Sequence, residues 1–169
     1  VDFCGLKIRR LIIGANPFGG YSHQSKSRDA EMIAYHTVER IHETWERAYA
    51  AGLNTMITNN ETPRVMQAVS EYFSTGGSLQ WIAQVNNRTK TDMHASVDEV
   101  VQLGCKALYF HGGRVDRLFA EQDEEPLRSW VSYAKSLGVV VGVAAHAPKA
   151  HLWVNSLDIA DFHAVPFFN

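Results

Sequence analysis

The sequence predicts an α/β fold built on a parallel sheet, and three observations carry that prediction. Six short apolar runs, rich in β-branched residues, recur along the 169 residues. Amphipathic stretches of helical period separate them. The runs are almost continuously apolar rather than alternating, the pattern of strands buried on both faces. Helices packed on a parallel sheet follow from that alternation. Two architectures fit: a (βα)8 barrel of the TIM type, with its first six βα units in this chain, or an open doubly wound parallel sheet.

The first run is Leu11–Ala15, followed by the turn-rich Asn16-Pro17-Phe18-Gly19-Gly20 and a polar stretch to Arg28. A helix is expected from about Ala30 to Ala51, because Val38, Ile41, Trp45 and Ala48 recur on one face. The second run, Thr55–Thr58, ends at Asn59-Asn60, and Thr62-Pro63 reads as a cap with proline at the first helical position. Val65, Met66, Val69, Tyr72 and Phe73 give that helix its apolar face. The third run, Leu79–Val85, ends at Asn86-Asn87, and a helix from about Thr91 to Leu103 follows. The fourth run, Ala107–Phe110, ends at His111-Gly112-Gly113, with Asp116 and Glu121 expected in loop. A helix over Glu125–Leu137 leads to the fifth run, Val139–Ala145, which ends at His146-Ala147-Pro148. A short helix near Lys149–Asn155 precedes the sixth run, Phe162–Phe168.

Composition narrows the function classes. With 46% hydrophobic and 20% charged residues, the chain can bury a sizeable core, which excludes disorder. No apolar run is long enough to span a bilayer, so no membrane partner is expected. A formal net charge of −2 offers no basic face for nucleic acid. Cys4 and Cys105 match no disulfide framework or metal spacing, which points to a reducing compartment and a cytoplasmic location. Glycine-rich phosphate loops and a GxSxG elbow are absent from the sequence.

In both architectures the working groups lie where strands end. All six runs terminate in Asn or His: Asn16, Asn59 with Asn60, Asn86 with Asn87, His111, His146 and Asn169. Any single Asn at such a junction is a good turn residue. As an ensemble converging on one pocket, these amides and imidazoles would hydrogen-bond a small polar molecule. His111 and His146 are the expected catalytic pair, as ligand contacts or, for His111, as a general acid. Asn16, Asn59, Asn60, Gln84, Asn86 and Asn169 are the expected substrate-binding residues. Tyr21 and His23 join them from the long first loop, which could lie over the pocket. His36 and His42 are expected to be solvated, and His163 to be a core histidine.

The segments Arg10–Gly20, Trp45–Asn54, Ala107–His111, Val141–His146 and Phe167–Asn169 resemble, in order, the strands and turns of aldo-keto reductases. That resemblance implies a barrel rather than an open sheet, and a reaction on a small polar carbonyl or sugar-like substrate with NADP as cofactor. The family uses a tyrosine acid, tuned by lysine and aspartate, with a histidine orienting the carbonyl. Only the histidine carries over, as His111. Ile57 or its neighbours stand at the aspartate position, no tyrosine lies between Asn59 and Glu71, and Asn86-Asn87 stand where lysine is expected. Two other readings stay open: a lyase, isomerase or hydrolase with His111 and His146 on a divalent metal, and a barrel that binds a small molecule without chemistry. Residues 1–169 are expected to form a single incomplete barrel domain. Its open edges would be covered by further C-terminal units or by a second copy in a homo-oligomer.

Overall fold

The computed structural model describes residues 1–87 and 92–166. It forms two compact units, Val1–Ala83 and Gln84–Asn169. The fold is α/β of the (βα)n type, as expected, with parallel strands and intervening helices.

The first unit opens on a hairpin that the sequence reading did not anticipate. β1 (Asp2–Phe3) pairs antiparallel with β2 (Leu6–Lys7). Cys4 and Gly5 both take positive φ, 50° and 88°, which is the backbone of a tight two-residue hairpin turn. The expected first strand is reduced to a single parallel bridge, Ile13 to Met56, and Leu11 is 71% exposed. Then come α1 (Asn16–Gly19), α2 (Lys26–Tyr35) and α3 (Val38–Ala50). The sequence suggests one long helix here, but the chain breaks at His36-Thr37. Thr37 caps α3 by accepting a hydrogen bond from the Arg40 amide, and α2 buries no residue of its own.

β3 (Thr55–Asn59) leads to α4 (Pro63–Ser74), and β4 (Gln80–Val85) begins in this unit. Ile41 and Trp45 of α3 meet Val65, Val69 and Tyr72 of α4, with Met56, Trp81 and Ile82 also buried in this unit. The Trp45 and Tyr72 rings sit edge to face at 5.1 Å. The buried Trp81 indole donates to Thr58 Oγ1 at 2.9 Å, so its one polar atom is satisfied. His42 is not solvated as expected: its Nε2 lies 2.8 Å from the Ala68 carbonyl oxygen. His36 is half-buried, its ring 4.9 Å from that of Phe18.

The second unit takes the last residues of β4 and continues with α5 (Met93–Gln102), β5 (Ala107–Phe110), α6 (Gly112–Glu121), α7 (Glu125–Ser136), β6 (Val140–Ala144), α8 (Pro148–Leu157) and β7 (Phe162–Ala164). β5, β6 and β7 are parallel neighbours, with Tyr109 opposite Gly142 and Gly142 opposite Phe162. All four β5 residues are buried, which matches their unbroken apolar run. Val97 and Val100 of α5, and Leu127, Val131 and Ala134 of α7, supply the helical side of this core. Tyr133 ties α7 to α5 by donating to Asp98 Oδ1 at 2.6 Å.

The helix α6 is the main departure from expectation in this unit. Gly112-Gly113 reads as a loop, yet Gly112, Val115 and Leu118 bury one face at a spacing of three. Asp116 and Glu121 are therefore helical, not in loop as expected. Among the described residues no helix is long and apolar enough to cross a membrane.

Candidate functional site

A cavity of about 300 Å³ opens at the C-terminal ends of the second unit's strands. Gln84 of β4, Tyr109 of β5, His111 and Gly112 after it, Ala144–His146 at the end of β6, and Ala164–Pro166 at the end of β7 line it. This is the end at which parallel strands present loops and helix starts, so chemistry placed here can vary without disturbing the core.

His146 sits at the rim with a side chain 67% exposed. Its Nδ1 lies 2.6 Å from Asp116 Oδ2. A carboxylate can only accept, so neutral His146 carries its proton on Nδ1 and leaves Nε2 bare as a base. Asp116 is itself fixed by the backbone N–H of His146, 3.1 Å from both carboxylate oxygens, and by that of Ala147, 3.4 Å from Oδ1. Partial burial pushes the Asp116 carboxyl upward, but the His146 and Ala147 hydrogen bonds outweigh it and hold the group below the ordinary carboxylate value. Gly112 packs beneath the ring: a Cβ there would stand 3.0 Å from His146 Cε1. The carboxylate and the glycine backbone thus fix the imidazole from two sides.

His111 lines the same cavity but spends Nδ1 differently. That atom accepts from the Gly113 amide at 3.1 Å, which makes His111 the N-cap of α6. Tyr109 donates to Gln84 Oε1 at 3.3 Å, longer than an ordinary O–H···O bond and open to replacement by a ligand oxygen. Burial pushes the Tyr109 hydroxyl up to about 12, so it stays a neutral donor.

Behind Ala145, His151 Nε2 lies 3.1 Å from the Ala145 carbonyl, and His151 Nδ1 lies 2.9 Å from His163 Nδ1. The carbonyl requires a proton on His151 Nε2. With His151 neutral, its Nδ1 accepts and His163 donates from Nδ1. Burial and the neighbouring His151 push His163 below the usual imidazole range. His163 is half-buried and paired rather than a simple core residue.

Of the expected site residues, the structure brings Gln84, His111 and His146 onto one cavity. Asn86 lies just past β4, is 2% exposed, and accepts from Arg114 Nε at 2.9 Å. The others expected to bind substrate belong to the first unit or lie outside the described residues. Asn59 Oδ1 accepts from the amides of Glu61 and Thr62 at 2.9 and 3.0 Å, so it, and not Thr62, supplies the side-chain oxygen at the start of α4. Asn60 is 4% exposed. Asn16 begins α1, and its carbonyl accepts from the Tyr21 amide at 2.9 Å. Tyr21 Oη lies 3.5 Å from Thr62 Oγ1. His23 is exposed with φ of 57°. Asn169 lies outside the described residues.

Asp116, the partner of His146, is the residue that sequence reasoning missed. Its signal was faint: it stands five residues after His111, a position that faces a strand end only if the intervening glycines are helical. Among the described residues no three His, Cys, Asp or Glu side chains are grouped to hold a metal ion. The Nδ1 atom of His111 is engaged by the Gly113 amide and that of His146 by Asp116.

No family model matches the chain, and no curated protein matches it. Among solved structures, it is similar to a putative deoxyribose-phosphate aldolase from Coccidioides immitis, at 14% identity and a TM-score of 0.59 over 80% of this chain. It is also similar to QR15, described as an aldolase, at 12% identity and a TM-score of 0.57 over 76% of this chain. The matches span 56% and 61% of those two proteins. At this identity the likeness establishes the fold, and it supports the (βα)n barrel type over the open doubly wound sheet. It also corrects the expected aldo-keto reductase resemblance, because these neighbours are aldolases. The NADP-linked oxidoreductase reading falls with it. The chain is an α/β protein of (βα)n barrel type whose described neighbours are aldolases.

Proposed function

We propose that the second unit carries the acid–base site of a lyase acting on a small hydroxy-carbonyl compound by aldol-type cleavage or its reverse. The observation that supports this reading is the His146–Asp116 pair, 2.6 Å apart at the rim of a cavity at the strand ends. The likeness to aldolases suggests the reaction class; the side chains suggest who moves the proton.

In the cleavage direction, His146 Nε2 takes the proton of the β-hydroxyl. The carbon–carbon bond breaks, the hydroxyl carbon becomes one carbonyl product, and the electron pair passes to the α-carbon of the other fragment as an enolate. His146 returns the proton to that carbon, so atoms and charge balance. Asp116 holds the tautomer and stabilises the imidazolium formed midway. The neutral Tyr109 hydroxyl and Gln84 are placed to hydrogen-bond substrate oxygens. Among the described residues no lysine lines the cavity, so the reading does not route through an imine on them.

The test is α-proton exchange. The full chain is incubated in D2O with a panel of small hydroxyketones and hydroxyaldehydes, and exchange is followed by NMR. Exchange that is lost in His146→Asn supports the reading, and no exchange or turnover with any member of the panel contradicts it. Borohydride added during turnover is expected to leave the protein mass unchanged. A substrate-dependent adduct would move the chemistry to a lysine.

A further inference from the structure

The first turn of α6 faces two strand ends at once. Residues two apart on a helix diverge by more than a right angle, so Arg114 and Asp116 leave α6 on different sides. Asp116 reaches His146 after β6, and Arg114 reaches Asn86 after β4, through Nε to Oδ1 at 2.9 Å. Asn86 is buried and stands two residues beyond Gln84, which lines the cavity. It fixes the plane of the guanidinium by one edge and leaves the terminal nitrogens as donors.

Arg114 also differs from the other described arginines of this unit. Arg117 pairs with Glu121 at 3.7 Å and Arg128 with Glu124 at 3.0 Å. Among the described residues Arg114 has no carboxylate partner, although it is half-buried. A guanidinium that is oriented by a neutral amide, partly desolvated and without a carboxylate partner among the described residues is suited to a planar or tetrahedral oxyanion.

We infer that Arg114 binds a carboxylate or phosphate group of the substrate, so that the site prefers anionic hydroxy-carbonyl compounds over neutral ones. This rests on reading the cavity as the substrate site. The roles then divide along α6: Arg114 anchors the charged end from the β4 side, while His146 and Asp116 act on the reacting end from the β6 side.

The test measures binding apart from turnover. Inorganic phosphate and malonate are titrated in separate arms into wild type, Arg114→Gln, Arg114→Lys and Arg117→Gln, by calorimetry and by amide shifts of residues 111–116. Each variant's circular dichroism and melting temperature are compared with wild type to confirm folding. Saturable binding of at least one anion is expected in wild type and Arg117→Gln, weakened at least tenfold in Arg114→Gln and less in Arg114→Lys. The stronger arm tells phosphate from carboxylate. Unsaturable binding in wild type, or equal affinity in folded Arg114→Gln, overturns the inference. Asp116→Asn separates the two proposals: it is expected to retain the anion while losing turnover. Failure of the lyase reading alone would leave anion binding intact, and failure of the anion site alone would leave exchange intact.

Discussion

Asn59 in the first unit and His146 in the second occupy equivalent places, each at the end of a parallel strand just ahead of a helix. They do different things with their polar atoms. Asn59 directs its side-chain oxygen at two backbone amides of its own turn. His146 has its Nδ1 held by a carboxylate from another helix and presents the rest of its ring at a cavity rim. His111 falls between them: it lines the cavity, yet its Nδ1 serves as a helix cap. A polar residue at a strand end therefore identifies a site only when a group from elsewhere in the fold orients it toward open space.

Removing the oriented group should be the most damaging change to function. His146→Ala is expected to lower turnover by about 100-fold or more, the usual size of a lost general acid–base, with melting temperature little changed. The matching change in the first unit has the opposite signature. Trp45, fully buried against Tyr72, should cost about 3–5 kcal/mol of stability as Trp45→Ala, read by urea denaturation.

A pH series sharpens the contrast further. Asp116 and His163 both have native pKa values below their ordinary ones, so in each case the unfolded chain binds the proton more readily. Stability from His163 is present above the ordinary imidazole range and is lost as pH falls through its lowered value. Stability from Asp116 is present above the ordinary carboxylate range and is lost at still lower pH. The melting temperatures of wild type and Asp116→Asn should accordingly converge in strong acid and separate near neutrality. Equal separation at every pH would break the assignment. The smallest expected effect is Asn59→Ala, which leaves two amides short of a partner at a cost of about 1 kcal/mol and leaves activity unchanged.

Much of this fold was legible because strands buried on both faces need continuous apolar runs. Ala107–Phe110 is the clearest case, matching β5 residue for residue. The helix over 63–74 was legible from its apolar stripe and leading proline, and that over 125–136 was expected at nearly the same bounds. The break at His36-Thr37 was hidden, because Val38, Ile41 and Trp45 continue an apolar face that α2 does not share. The helix at 112–121 was hidden because paired glycines favour a turn, while here a capping histidine starts a helix. That second misreading concealed the site, since only a helical Asp116 reaches His146. Strand-end histidines were visible in the sequence, but their partners depend on tertiary placement and on the tautomer each partner imposes.

The central claim is that Asp116 makes His146 an acid–base group, and it is tested most directly by deuterium exchange in Asp116→Asn. With a hydroxy-carbonyl compound that wild type exchanges, the variant amide can hold the ring but neither enforces the Nδ1–H tautomer nor stabilises the imidazolium. The account predicts an exchange rate reduced by about 100-fold or more, with binding of the compound retained. An Asp116→Asn protein that exchanges the α-proton as fast as wild type would contradict it.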